Sequence, residues 1–330
     1  MPKIERFTVD FETYYDKEYS LKKMTPVQYV LDPRFETIML SVKRPGKEAF
    51  TLSGNQIESF FRILDPETTV MITWNALFDQ LIAAVHYCFV PKLMIDGMGM
   101  ARAWLSHELK YMSLEAVSAH LGTGYKGHEV HNVIGMRTQD IISAGRWDAY
   151  CKYCIKDSVL TEANVDKMLA QGFPYNELRV LDLVLRMTVI PQFHLNTVEL
   201  AQHHQDIIQD KANILAQAGL QYDQHGKCPE LMSNDKFAKI LEGLGVDPPT
   251  KISPATGRST WAFAKSDQAF TDLEEHDDPA VQAVMAARLG HKSTIEETRT
   301  ERLLAISQLQ WPERYLEWRG LPRGSNLAPM

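Results

Sequence analysis

Two acidic side chains in the first predicted strand could together hold a divalent cation. Residues 4–13 alternate with period two, so Asp10 and Glu12 share one strand face while Val9 and Phe11 share the other. Two carboxylates on one face repel each other, and a hard cation such as Mg²⁺ or Mn²⁺ would offset that repulsion. A D-x-E pair on its own fits a solvated strand face equally well.

A third carboxylate lies where a later strand gives way to a helix. Residues 74–79 (WNALFD) follow the apolar run 69–73, and Asn75 occupies the position of a helix N-cap. Asp79 then falls in the first helical turn, where the helix dipole favours a negative charge. Sheet proteins often assemble their sites at such junctions, although Asp79 alone also fits a simple capping acid.

A fourth carboxylate, Asp157, follows Tyr153 by four positions in a predicted long helix at 146–171. Residues at i and i+4 share a helix face, so the phenol and the carboxylate lie side by side. A phenol beside a metal-bound carboxylate can hold a water in line with a phosphate. An aromatic core residue next to a surface acid would give the same spacing.

The elements expected around these residues form an α/β domain. Strands are predicted at 4–13, 36–43, 49–53, 69–73 and 93–98, and helices at 55–64, 76–88, 98–107, 113–121, 137–144 and 146–171. This pattern favours a mixed sheet flanked by helices. Gly172 and Pro174 end the last helix, which predicts a first domain at 1–172. We expect 173–330 to be mainly helical, with a mobile tail from about 311 to 330.

Composition indicates an ordinary globular chain. It has 330 residues, 45% of them apolar and 23% charged, and a net charge of −7. The acidic total argues against a broad basic coat for duplex DNA, although a cation site is itself acidic. No signal-peptide pattern and no membrane-length apolar run occurs, so we expect a cytoplasmic location, that of the host if the chain is phage-encoded. The C-x-x-C of Cys151 and Cys154 is interpreted as two small residues on one helix flank.

Together the three acidic motifs resemble the DEDD exonuclease superfamily, in its tyrosine branch. D-x-E on a first strand, N-x-x-F-D at a strand–helix junction and Y-x-x-x-D on a long helix occur in that order. Lys152 stands where the histidine branch carries histidine. The resemblance implies an RNase H-like fold with a five-stranded mixed sheet and 3′→5′ hydrolysis that uses two divalent cations, Mg²⁺ with Mn²⁺ able to substitute.

The resemblance also implies a role for each catalytic residue. Asp10 would contact both metals, and Glu12 and Asp157 would help to hold the metal that activates water. Asp79 would hold the second metal through water, and Tyr153 would orient the attacking water.

Further positions match contacts to the terminal nucleotide. The predicted substrate contacts are Asn75, Phe78, Thr13 and Leu21. Family members place a leucine after the D-x-E as a wedge against the terminal base, and the same spacing here gives Asp16, which cannot act as one. Leu21 or Tyr14 would have to substitute.

The second half resembles the thumb of family A DNA polymerases, most closely that of phage members. The matching segments are 178–200, 233–237, 251–253 and 288–302, together with 29–35 in the first half. The predicted contacts to DNA phosphates are Lys292, Ser293, Thr294 and Arg299, which would position a strand without reading its sequence. A salt-bridged surface face of Arg288, Lys292 and Glu296 would explain the same spacing.

The motifs of the polymerase palm and fingers do not occur in full. These are a D-x-S-x-x-E strand, an R-x-x-x-K-x-x-x-Y helix and an H-D-E turn. We therefore expect no polymerase activity from this chain, which could be a shortened polymerase or one half of a split one. The expected partners are single-stranded 3′ ends and primer-template DNA, with a palm-and-fingers chain or a longer parent polymerase, and no membrane.

The leading hypothesis is a 3′→5′ exodeoxyribonuclease that proofreads in phage DNA replication. It would remove nucleotides from single-stranded or frayed 3′ ends and release 5′-mononucleotides. The alternatives are an RNA-trimming nuclease of the same superfamily, a non-catalytic DNA-holding part of a split polymerase, and a metalloprotein that binds cations only for stability.

Overall fold

A computed structural model describes residues 3–125, 133–224 and 226–329. Contacts within the chain group it into two compact units, residues 1–195 with 306–330, and residues 196–305. The predicted domains, an exonuclease domain at 1–172 and a thumb-like region at 173–330, stay a prediction.

The centre of the first unit is a mixed sheet of five strands. These are β1 (Glu5–Thr13), β2 (Thr37–Lys43), β3 (Phe50–Leu52), β4 (Thr69–Thr73) and β5 (Leu93–Asp96), in the order β3-β2-β1-β4-β5. β1 pairs antiparallel with β2 and parallel with β4, so the strand that carries the D-x-E pair lies in the middle. The predicted five-stranded mixed sheet is confirmed.

Alternation along β1 separates its two faces as the sequence predicts. Val9 and Phe11 are buried in an apolar core, whereas Asp10 and Glu12 are half-buried on the opposite face. The pairing of β1 with β2 shifts register between Glu12 and Thr13. Such bulges bend a strand and change the direction of the side chains next to them.

Helices flank this sheet, and each face has its own core. They are α1 (Pro26–Leu31), α2 (Asn55–Ile63), α3 (Ala76–Tyr87), α4 (Gly97–Leu105), α5 (Leu114–Leu121), α6 (Thr138–Ser143), α7 (Trp147–Ala170) and α8 (Tyr175–Val189), followed by the short strand β6 (Phe193–His194). In β4, Met71 belongs to the core with Val9, while its neighbour Ile72 belongs to the core beneath α4, α5 and α7. We did not predict α1, although Thr25 and Gln28 form a capping box and Pro26 starts the helix.

The second unit is largely helical, as expected. Its elements are α9 (Thr197–Gln217), α10 (Pro229–Met232), α11 (Asn234–Gly243), β7 (Thr250–Ile252), β8 (Ser259–Trp261), α12 (Gln268–Thr271), a 3-10 turn at Asp272–Glu275, α13 (Pro279–Lys292) and α14 (Ile295–Ser307). β7 and β8 form a small antiparallel hairpin. The core of this unit gathers apolar side chains of α9, α11 and α13, including Leu215, Phe237 and Met285.

The last residues return to the first unit. They form α15 (Glu313–Trp318) and β9 (Leu327–Ala328), which pairs antiparallel with β6. Four of their apolar side chains are buried in the core that contains Val9, namely Trp311, Tyr315, Leu316 and Leu327. We expected irregular structure near the end of the chain; mobility of 311–330 stays a prediction, and the burial of these side chains favours a docked segment.

Candidate active site

The two carboxylates of β1 face α7. Oxygen atoms of Asp10 and Glu12 and the sulfur of Cys154 all lie within 4.8 Å of one another. The hydroxyl of Tyr150 donates a hydrogen bond to Oε2 of Glu12 at 2.7 Å. The thiol of Cys154 lies 3.5 Å from the backbone oxygen of Asp10 and 3.8 Å from its Oδ2. Each carboxylate of the D-x-E pair therefore has a donor on α7.

Asp79, in the first turn of α3, contacts the same strand. The backbone N–H of Phe11, which lies between Asp10 and Glu12, donates to Oδ1 of Asp79 at 3.0 Å. Asp79 is only 4% exposed. Burial raises the pKa of Asp79 to about 7, the Phe11 N–H opposes that rise, and the negative charges of Glu12 and Asp96 add to it. We predicted a helix-dipole effect here, but desolvation is the larger influence.

Tyr153 and Asp157 lie on the helix that supplies the two donors. Positions 150, 153, 154 and 157 of α7 share one face by helical spacing. Asp157 is 5% exposed, and Tyr153 is half-buried with its ring parallel to that of Tyr150 at 6.4 Å between centroids. Of the predicted carboxylates, Asp10 and Glu12 lie within 4.8 Å of each other and of the Cys154 sulfur. Asp79 is hydrogen-bonded to the backbone of Phe11, the residue between them. Asp157 lies about one helical turn after Cys154 on α7. Their catalytic roles stay predictions.

A cleft of about 450 Å³ opens beside Glu12. Three of the predicted substrate contacts line it, namely Thr13, Leu21 and Phe78. The hydroxyls of Thr13 and Tyr29 are 2.9 Å apart, and the ring of Phe78 lies edge-on to that of Tyr29 at 5.5 Å. The fourth predicted contact, Asn75, is exposed at the start of α3, makes no capping hydrogen bond with its side chain and is not among the residues that line the cleft.

Asp16, at the spacing of the expected wedge, has another task. Its carboxylate accepts hydrogen bonds from the backbone N–H groups of Glu18 and Tyr19 and from the hydroxyl of Tyr14. These bonds hold the pKa of Asp16 below its usual value. Asp16 therefore organises the turn after β1, and Tyr14 is tied to it. Leu21 remains 44% exposed at the cleft, and its contact with a base stays a prediction.

Sequence reasoning missed several residues around the site, among them Tyr150, Cys154 and Ile134. Tyr150 and Cys154 precede Asp157 by seven and three positions, a helical spacing that could have shown them to share its face. Ile134, which is 53% exposed and lines the cleft, has no such pattern around it. Cys154 was interpreted only as a small residue on a helix flank, whereas its thiol adjoins Asp10.

The donor set fits a hard divalent cation. Asp10 and Glu12 offer carboxylate oxygens, which Mg²⁺ and Mn²⁺ prefer. Burial and the negative charges of Asp10 and Glu12 raise the pKa of the Cys154 thiol well above its usual value, so the sulfur is a neutral donor. Burial and Glu12 likewise raise the pKa of Tyr150 and keep its hydroxyl protonated.

The predicted phosphate contacts of the second unit are all exposed. Lys292 ends α13, Ser293 and Thr294 connect the two helices, and Arg299 lies on α14. Their contact with DNA stays a prediction.

The alternative of one salt-bridged surface face is wrong. Arg288 is 1% exposed, and its guanidinium lies 4.7 Å from the ring centre of Phe237. α13 ends at Lys292, so Glu296 belongs to the next helix, where it lies 3.3 Å from His203. Helical spacing cannot apply across that break.

Comparisons with known proteins give matches among solved structures. No family model and no curated protein matches the chain. The POL domain of Pol1 from M. smegmatis, in complex with DNA primer-template and dNTP, shares 14% identity, with 92% of this chain and 47% of that chain covered and a TM-score of 0.53. Brucella melitensis NrnC with bound Mg²⁺ shares 11% identity over 56% of this chain and 86% of that chain, with a TM-score of 0.38. Trypanosoma brucei RNase D in complex with RNA U12 shares 11% identity over 55% of this chain and 62% of that chain, with a TM-score of 0.41.

The likeness to the Pol1 structure shows a shared fold. It confirms the predicted RNase H-like exonuclease fold followed by a largely helical region. The chain spans about half the length of that structure, at 47%. Within the part of the chain that the structure describes, no helix has the length and apolar character needed to cross a membrane.

Proposed function

We propose that this chain is a metal-dependent 3′→5′ exonuclease acting on DNA. Asp10, Glu12, Asp79 and Asp157 are the proposed metal ligands, and Tyr153 lies beside the attacking water. The supporting observation is that β1 carries Asp10 and Glu12 and contacts both of the helices that carry the other two carboxylates, α3 and α7. The Phe11 N–H holds Asp79 against that strand, and the α7 face that includes Asp157 supplies donors to both strand carboxylates.

The proposed reaction is hydrolysis of the last phosphodiester. Divalent cations, when bound, would make a water more acidic and offset the charge on the departing oxygen. The phenol of Tyr153 would fix the line of approach of that water. The water oxygen bonds to phosphorus and gives up a proton to solvent, while the bond from phosphorus to the 3′-oxygen breaks and that oxygen takes up a proton from solvent. The products are a 5′-mononucleotide and a strand that is one nucleotide shorter. Protein residues thus bind and orient, and none needs to form a covalent intermediate.

The cleft beside Glu12 is the proposed binding site of the terminal nucleotide. Its volume of about 450 Å³ falls in the range of small-molecule pockets. Leu21 and Phe78 offer apolar surface to a base, and Lys17 at the same cleft offers a positive charge to a phosphate. Contacts of this kind accept every base, so we expect little sequence preference.

Proofreading is the proposed role within this function. The Pol1 structure that shares the fold was solved with DNA primer-template, and its likeness covers 92% of this chain. A polymerase palm and fingers, on another chain or in a longer parent, would then supply synthesis while this chain removes mispaired 3′ ends.

Digestion of a 5′-labelled oligonucleotide tests the function. With Mg²⁺ or Mn²⁺, we expect single-stranded DNA to shorten stepwise from its 3′ end, and EDTA should stop the reaction. Asp10→Asn and Asp157→Asn should each lower the rate of cleavage by more than about 100-fold. This loss exceeds the one that is typical when a residue that only hydrogen-bonds to a metal ligand is removed. Asp148→Asn is the matched control, because Asp148 is exposed in the first turn of α7.

Two outcomes would contradict the assignment. Cleavage that persists in EDTA, or near-wild-type rates in both active-site variants, would reject the metal site. An RNA oligonucleotide of the same sequence separates the substrates, since faster RNA shortening would favour the RNA-trimming alternative. Binding of DNA without any release of mononucleotides would favour a non-catalytic accessory role.

A further inference from the structure

We propose that Tyr150 and Cys154 are positioning residues that hold the carboxylates of Glu12 and Asp10 in the orientation that bound cations require. The inference rests on the proposed function, which makes these two carboxylates metal ligands. It assigns to one helix face a task that neither the motifs nor the comparisons describe.

The contacts are direct. The Tyr150 hydroxyl donates to Oε2 of Glu12 at 2.7 Å, and Tyr150 is 2% exposed. The Cys154 thiol lies 3.8 Å from Oδ2 of Asp10 and 3.5 Å from the backbone oxygen of the same residue, and Cys154 is fully buried. Both donors are thus enclosed by protein, where a hydrogen bond is stronger than in water.

The spacing of helix and strand makes the two contacts possible together. Residues two apart on a strand are about 6.7 Å apart along it. Residues four apart on a helix are about 6 Å apart along its axis. Because Tyr150 meets Glu12 while Cys154 meets Asp10, α7 runs opposite to β1 here, and one helix face serves both carboxylates.

Orientation matters because the two carboxylates repel each other. Their oxygens lie within 4.8 Å, so without a restraint each would turn away from the other. A carboxylate accepts about four hydrogen bonds. A single donor occupies one of these positions and restricts how the carboxylate can turn. Loss of such an outer partner typically weakens metal affinity or activity about 10- to 100-fold.

A purely structural role is the competing explanation for Tyr150. Its ring packs in a small core with Ile38, Met39 and Ile141. Phenylalanine would keep that packing and remove only the hydroxyl. Tyr150→Phe therefore separates the hydrogen bond to Glu12 from the contribution of the ring to stability.

The decisive measurement is direct binding of Mn²⁺ to the full chain. Binding is detected as the loss of the free-ion signal in electron paramagnetic resonance. We expect Tyr150→Phe to raise the Kd for Mn²⁺ about 10-fold or more. Cys154→Ala should raise it by a smaller factor, because a thiol is a weak donor, and Cys154→Ser should restore it. The Mg²⁺ concentration that half-saturates nuclease activity should shift in the same order.

Matched controls come from the same chain. Tyr315→Phe removes another buried hydroxyl, one that donates to the backbone oxygen of Val189. Cys228→Ala removes another buried thiol beside a carboxylate, that of Glu230. Neither should change Mn²⁺ affinity, and circular dichroism checks that every variant is folded.

The outcomes separate this inference from the proposed function. Wild-type protein that binds Mn²⁺ but cleaves nothing would reject the nuclease, while the variants would still decide the positioning role. Wild-type affinity in Tyr150→Phe, or equal affinity in Cys154→Ala and Cys154→Ser, would overturn the role of that residue. If wild-type protein binds no Mn²⁺, both ideas fail. If Tyr150→Phe does not fold, the two Cys154 variants carry the test.

Discussion

The backbone N–H of Phe11 and the carboxylate of Asp79 are joined by a hydrogen bond of 3.0 Å across 68 positions of sequence. This contact brings the first turn of α3 against the C-terminal part of β1. It places a buried acid next to the two acids that flank Phe11. The negative charge of Glu12 then contributes to the raised pKa of Asp79.

Asp79 should make metal-free protein less stable as pH rises. Folding raises its pKa from 3.8 to about 7, so the folded state binds this proton more tightly than the unfolded state does. The resulting stabilisation is complete below about pH 4 and is lost as pH rises through about 7. Urea unfolding in EDTA at pH 5 and pH 8 should show a larger loss for wild type than for Asp79→Asn, whose amide can still accept from Phe11. An equal loss in both proteins would contradict the assignment.

Tyr315 should be essential to the stability of the first unit. It is fully buried, stacks on Trp311 with ring centres 5.1 Å apart and donates to the backbone oxygen of Val189. Tyr315→Ala should lower the free energy of unfolding by about 3–5 kcal/mol, as aromatic truncations in cores do. Tyr175→Ala, at a position 74% exposed, should cost less than about 0.5 kcal/mol. A mobile tail at 311–330 would instead make Tyr315→Ala as mild as its control.

The charge of Arg288 should not be needed for stability. Its Nε and Nη1 atoms are buried with no hydrogen-bond partner among the described residues, while Nη2 donates to Asn234. Burial lowers the pKa of Arg288 to about 10. Arg288→Met keeps much of the volume and removes the charge, so the free energy of unfolding should stay within about 1 kcal/mol or rise. Arg288→Ala, which leaves a cavity, should cost about 2 kcal/mol or more in the same urea titration.

The exposed cations of the second unit should strengthen DNA binding through contacts with phosphates. Lys292→Ala and Arg299→Ala should each weaken binding to single-stranded DNA and lower the slope of log affinity against log salt by about 0.7. Fluorescence anisotropy at several salt concentrations measures both quantities. Lys239→Ala, at an exposed position of α11, is the control and should leave the slope unchanged. Equal slopes in all four proteins would remove these residues from the DNA contact.

Local patterns alone determined much of the fold and of the site. Period-two alternation assigned Asp10 and Glu12 to the face of β1 opposite Val9 and Phe11, because successive strand residues point to opposite sides. Helical spacing likewise placed Tyr153 and Asp157 together on α7. The capping box that starts α1 was also present in the sequence, although we did not use it.

Only the tertiary structure decided which distant groups meet. The Phe11–Asp79 bond, the donors Tyr150 and Cys154, and the burial of Arg288 each depend on how separate segments pack. The physical reason is range, since strand and helix periods fix directions over a few residues. The distance between a helix face and a strand face is set by the packing of whole cores, and no local pattern contains it.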